Sequence, residues 1–154
     1  MKNKINQEDQ SLASEMRGIW WLLSREDWTE DGERRIDPML GAEPLGILCY
    51  AKEYFSAQFM KRNRTGDMDT HLSHAIKNNT AAIAGYDAYF GTYEVNEQTG
   101  EVKHTLLGSV NPSNIGMSVN RNLSVGTDRL VIRLQTNTAD GEAINRTLTW
   151  KRIG

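Results

Sequence analysis

Cysteine is almost missing from this chain: Cys49 is the only one in 154 residues. No internal disulfide can form, so nothing calls for an oxidising compartment. Cys49 lies in an apolar run, where it reads as a small buried hydrophobe; a nucleophile would need a partner base. An excess of one charge is also lacking. Eighteen Lys and Arg against twenty Asp and Glu leave a net charge of −2. That balance gives no electrostatic footing for nucleic acid or an anionic membrane. The short basic run Lys61-Arg62-Asn63-Arg64 reads as a solvated loop. No apolar stretch approaches the roughly 20 residues of a membrane helix. Residues 1–15 are polar and lack the apolar core of a signal peptide. We therefore expect a flexible tail over 1–15, one domain over 16–154 and a soluble, cytoplasmic chain. Glycine-rich phosphate loops, Cys-x-x-Cys pairs and catalytic-serine signatures are absent too. Asp67, Asp69, His71 and His74 cluster in sequence, but their spacing matches no zinc or calcium pattern. Neither a metal nor a cofactor is expected.

What the sequence does have is alternation. Met16, Gly18, Trp20 and Leu22 share one face of a run ending near Ser24, and Ile19, Trp21 and Leu23 share the other. Further strands are expected over 34–39, 45–51, 54–61, 89–96, 101–110, 119–125, 129–135 and 145–152. Turn residues separate them, as in Gly126-Thr127-Asp128 and Ala139-Asp140-Gly141-Glu142. Between 79 and 88, alanines follow Asn79 and Thr80, which predicts a short capped helix. About eight to nine closely spaced strands and one short helix point to an all-β, antiparallel barrel or sandwich.

Several blocks occur in an order that resembles the bacterial lipocalin-like domain family, distant relatives of lipocalins and fatty-acid-binding proteins. They are Gly18-Ile19-Trp20, Leu45-Gly46-Ile47-Leu48-Cys49-Tyr50 and Tyr54-Phe55-Ser56-Ala57-Gln58-Phe59-Met60. The most specific is Tyr86-Asp87-Ala88-Tyr89-Phe90-Gly91-Thr92-Tyr93-Glu94-Val95, followed by Val102-Lys103-His104. Asn111-Pro112 through Gly116 to Arg121, and Leu148-Thr149-Trp150-Lys151-Arg152, complete the match. The polar segment 67–74 departs from the more Gly- and Ala-rich pattern of family members. The resemblance implies a barrel around an internal cavity and implies no activity, because such barrels host unrelated functions.

Two polar residues interrupt apolar faces. His104 shares a face with Val102, Leu106 and Val110, and Arg121 with Val119, Leu123 and Val125, so both should point inward. His104 is either a satisfied core histidine or a pocket group whose charge changes near neutral pH. An inward guanidinium needs a partner. In lipocalin relatives an inward Arg meets a ligand carboxylate; the alternative here is a structural Arg stacked on Trp20 or paired with Glu94. Trp20, Trp150 and Arg152 are expected to close one end of the barrel. Tyr50, Tyr54, Gln58, Met60, Tyr89 and Tyr93 are candidate cavity-lining residues beside His104 and Arg121. Period two leaves open which face of 54–60 is core.

Three functions fit. The first is binding of a small, largely apolar molecule with a polar or anionic end. The second is a cofactor-independent isomerase, cyclase or hydratase, for example in natural-product biosynthesis, with His104 and Arg121 as catalytic residues. The third is a packed interaction module. The expected partner is a small-molecule ligand or substrate, with neither nucleic acid nor membrane, and a homodimer is left open.

Overall fold

The computed structural model describes residues 10–64 and 80–154. Among these residues, nine antiparallel strands follow one short α-helix: α1 (Leu12–Met16), β1 (Gly18–Thr29), β2 (Arg34–Arg35), β3 (Leu45–Tyr50), β4 (Tyr54–Met60), β5 (Tyr86–Val95), β6 (Glu101–Ser109), β7 (Ser118–Val125), β8 (Arg129–Asn137) and β9 (Ala143–Arg152). From β3 onward each strand pairs with the next, and β1 closes the ring by pairing with both β3 and β9. The result is a closed eight-stranded barrel, with β2 as an extra strand on the edge of β1. Closure leaves no long unpaired edge.

Inward positions form one continuous core. Trp20, Leu22, Leu48, Phe55, Phe59, Val102, Leu106, Leu130, Leu148 and Trp150 are all buried in it. Ile19, Trp21 and Leu23 of β1 are substantially exposed, which settles which side of that doubly apolar strand faces in. At one end Arg152 lies over the Trp20 ring, 4.2 Å from its centroid. Its guanidinium donates to the carbonyls of Arg17 and Glu15, and Trp20 Nε1 donates to Met16 O at 2.9 Å. These bonds tie α1 to the barrel end. Ser11 caps α1, and Glu97 accepts from the Leu12 and Ala13 amides. Gly18 is required here: its φ of +135° suits glycine, and a Cβ would lie 2.5 Å from Arg152 Nη1.

The helix predicted over 79–88 does not form in its described part. Residues 80–85 are turn and bridge, with Ala84 and Gly85 at φ 53° and 77°. Tyr86 then already pairs with Met60 at the start of β5. Two left-handed residues and the β4–β5 ladder override the alanine propensity. Ala82 and Ala84 are instead buried. Among the described residues the one α-helix lies at Leu12–Met16, in a segment whose polar character suggested none.

Two β-bulges decide which side chains enter the barrel. In β1, Leu22 faces Trp150 while Ser24 faces Thr149, so Leu23 is the extra residue. Alternation restarts one step late, and Arg25, Asp27 and Thr29 become the inward set. In β6, Leu107 is bypassed between the Phe90–Gly108 and Gly91–Leu106 pairs. The backbones approach closely there: a Cβ on Gly91 would sit 1.8 Å from the Thr105 carbonyl oxygen.

Candidate functional site

The barrel interior holds a cavity of about 70 Å³. That is room for a few waters or a compact ligand group. Its wall is mostly apolar and aromatic, with Leu48, Tyr50, Phe55, Phe59, Tyr89, Leu148 and Trp150 among the lining residues. Polar groups enter it from several directions.

His104 on β6 is buried and lines the cavity. Its Nε2 is hydrogen-bonded to Tyr50 Oη at 2.6 Å, and the Phe55 ring meets it edge-on at 4.5 Å between centroids. Burial, and secondarily the Arg121 charge, pulls the imidazole pKa down to about 3. His104 is therefore neutral at physiological pH. The expectation that its charge changes near neutrality is corrected: burial in a mostly apolar wall disfavours the imidazolium, and among the described residues no carboxylate acts on it. Burial likewise raises the Tyr50 phenol well above its usual value.

Arg121 on β7 is half-buried and also lines the cavity. Its Nη1 donates to the Asn120 carbonyl at 3.0 Å. Among the described residues, no carboxylate is one of the groups that act on its charge; burial dominates and lowers its pKa. Neither structural partner considered for it is engaged. Arg152 covers Trp20, and Glu94 is exposed beside Lys103 at 3.9 Å. Arg121 sits where β7 and β8 part. Those strands pair from Asn122–Arg133 to Val125–Leu130 and separate beyond. Arg121, Leu134 and Arg146 line both the cavity and an outer groove of about 440 Å³.

Tyr89 lines the cavity, its phenol pKa raised by burial. Tyr93, expected to line the cavity, is instead buried in the core outside its lining, edge-on to Tyr50 at 5.0 Å, and donates to the Ala51 carbonyl. Tyr54, Gln58 and Met60 are corrected as lining residues. Phe55, Ala57 and Phe59 take the inner face of β4, which puts these three outside. Tyr54 is 58% exposed, and Gln58 accepts from the Tyr86 hydroxyl on the outer surface.

Sequence periodicity missed a second polar group on the cavity wall. Asp27 receives two hydrogen bonds from Arg146, 2.7 Å from Nε and 3.1 Å from Nη2. Arg25 Nη2 lies 3.7 Å from Asp27 and 3.9 Å from Asp37. Asp37 Oδ1 accepts from the Met39 amide at 2.8 Å, which folds 37–41 into a turn that buries Met39 and Leu40. Asp87, at the start of β5, is buried with them, and burial raises its pKa to about 6 against a partial offset from Arg25. Burial first, then Arg146, lowers Arg25 to about 10, so it stays charged. One of these residues was visible beforehand: Ile144, Arg146, Leu148 and Trp150 alternate on one face. Arg25 and Asp27 were hidden by the bulge. Asp67, Asp69, His71 and His74 lie outside the described residues.

A lipocalin-like domain family model matches residues 17–153. The chain belongs to the lipocalin-like domain family. No curated protein matches it in sequence. The lipocalin-like barrel fits small-molecule binding in general. Among the described residues, no helix is long and apolar enough to cross a membrane.

Proposed function

We propose that this lipocalin-like barrel binds a small, largely apolar molecule whose polar or anionic end meets Arg121. The observation that carries this reading is a guanidinium on the cavity wall on which, among the described residues, no carboxylate acts. Burying a cation without a counter-charge is unfavourable, and a ligand anion would supply one. The aromatic wall provides apolar contact, and the Tyr50–His104 pair presents a neutral polar surface beside it. Ligand pockets combine these features: apolar walls and a few placed polar groups. The β7–β8 seam supports a route of entry, because Arg121 reaches both sides of it.

The test is native mass spectrometry of the protein isolated from its source without denaturation. The expected spectrum shows a retained small molecule that is acidic after release and lost from Arg121→Ala. Equal retention by Arg121→Ala would remove this residue from the site. A bare protein mass for both would overturn the binding function.

A further inference from the structure

The outer surface of the barrel has two unlike walls. On β7 and β8 the outward positions are mostly polar: Asn120, Asn122 and Ser124 on one strand, Arg129, Arg133 and Gln135 on the other. Around β1, β3, β4 and the first half of β5 the pattern changes. One row across the sheet runs Ile19, Cys49, Ser56, Phe90, and the next runs Trp21, Ile47, Gln58, Ala88. Leu23 and Tyr54 continue these faces along their strands, and Leu107 bulges out beside Phe90. Among the described residues, none of the outward positions from 19 to 23, on β3, on β4 or from 86 to 90 is charged. A quarter of the whole chain is charged, so the gap belongs to this face. Charges return at its rim, with Lys151 opposite Trp21 on β9 and Arg64 over the Tyr86 ring.

The face is also large. Ile19, Trp21, Leu23, Tyr54, Phe90 and Leu107 are each 39–58% exposed. Large aromatic side chains carry on the order of 150–250 Å² and aliphatic ones somewhat less, so these six present about 600 Å². Half-buried Leu45, Ile47 and Met60 add to it. A monomer's largest apolar patch is about 300–600 Å², whereas each partner in a standard interface contributes about 800 Å². The polar side chains within the face ask little of water, because Gln58 accepts from the Tyr86 hydroxyl.

We propose that this face is the interface of a homodimer, covered by a second copy of the chain about a two-fold axis. Two-fold pairing sets residues near the axis against themselves, so a charge there would meet its like. A charge-free centre with charges at the rim suits self-pairing, and homodimer interfaces have such apolar cores. A second copy supplies an equal apolar area, which brings the contact to the size a stable dimer needs. A net charge of −2 per copy opposes association only weakly. The dimer stands apart from the ligand reading, since none of these face residues lines the internal cavity.

The test is sedimentation equilibrium of the full chain across the micromolar range. The parent is expected at twice its 17.4 kDa mass. Gln58→Glu preserves shape and the acceptor for Tyr86, yet places two unpaired charges in the interface. It should raise the dissociation constant at least about a hundredfold, and Phe90→Glu should do likewise. Asn122→Asp on the polar wall should leave the constant unchanged. Circular dichroism checks that each variant keeps the parent's strand content. Weakening by either glutamate upholds the interface. A parent that stays monomeric, or a dimer weakened by neither glutamate, would overturn it. A monomeric parent that floats with phosphatidylcholine–phosphatidylglycerol vesicles, and ceases to with Phe90→Glu, would assign the face to a lipid surface and equally overturn the dimer.

Discussion

His104 and Asp87 line the same cavity, and burial moves their proton affinities in opposite directions. His104 falls from an ordinary 6.5 to about 3, and Asp87 rises from 3.8 to about 6. The linkage signs follow. Keeping His104 neutral contributes stability that is whole above about pH 6.5 and is lost as pH falls toward 3. Asp87 contributes stability that is whole below about pH 4 and is lost as pH rises through 6. Its size is about 3 kcal/mol, from roughly 1.4 kcal/mol per pKa unit. Two variants separate these effects. His104→Gln keeps a hydrogen bond to Tyr50 and should lose stability less steeply than the parent between pH 6 and 4. Asp87→Asn should gain on the parent as pH rises from 4 to 7. Chemical denaturation across that range reads both; parallel curves for parent and variants would show that neither group titrates as its burial demands. At Arg121, Lys should weaken ligand binding nearly as much as Ala, because an ammonium does not reproduce the planar two-pronged contact. With a retained ligand in hand, the expected loss is about 2–4 kcal/mol for Ala.

Each strand's existence was legible from period two, but the side it faces was legible only up to a bulge. Trp20 and Leu22 fall inward as the sequence implies, and so do His104 and Leu106. Beyond Leu23 the apparent polarity of Ser24-Arg25-Glu26-Asp27 reads as a strand end, whereas β1 continues to Thr29 with two charges inside. A bulge has no reliable mark in one sequence, and neither does a buried ion pair that supplies its own counter-charge. Nor could alternation alone assign Tyr54, Gln58 and Met60, because both faces of β4 carry apolar residues. The bulge also makes a prediction. Deleting Leu23 leaves Leu22–Trp150 and Ser24–Thr149 as adjacent pairs in regular register, with Arg25 and Asp27 still inward. That deletion should cost little in thermal unfolding. Deleting Glu26 turns Asp27 outward and strands Arg146, which should cost about 3–5 kcal/mol, the typical loss on breaking a buried ion pair. Similar melting temperatures for the two deletions would contradict this account of β1.

On the scale of the whole molecule, the barrel brings together residues far apart in sequence: Arg25, Tyr50, Asp87, His104, Arg121 and Arg146 come from six strands and line one cavity. Neutral polar groups and a cation on which no carboxylate among the described residues acts share its wall. Arg121, Leu134 and Arg146, beside the end of the β7–β8 pairing, line both this interior and an outer groove. The most direct measurement is a crystal structure of the protein with its retained or titrated ligand. The account predicts ligand density inside the barrel, with its acidic group against the Arg121 guanidinium. Density confined to the outer surface, with the Arg121 side chain turned to solvent, would contradict it.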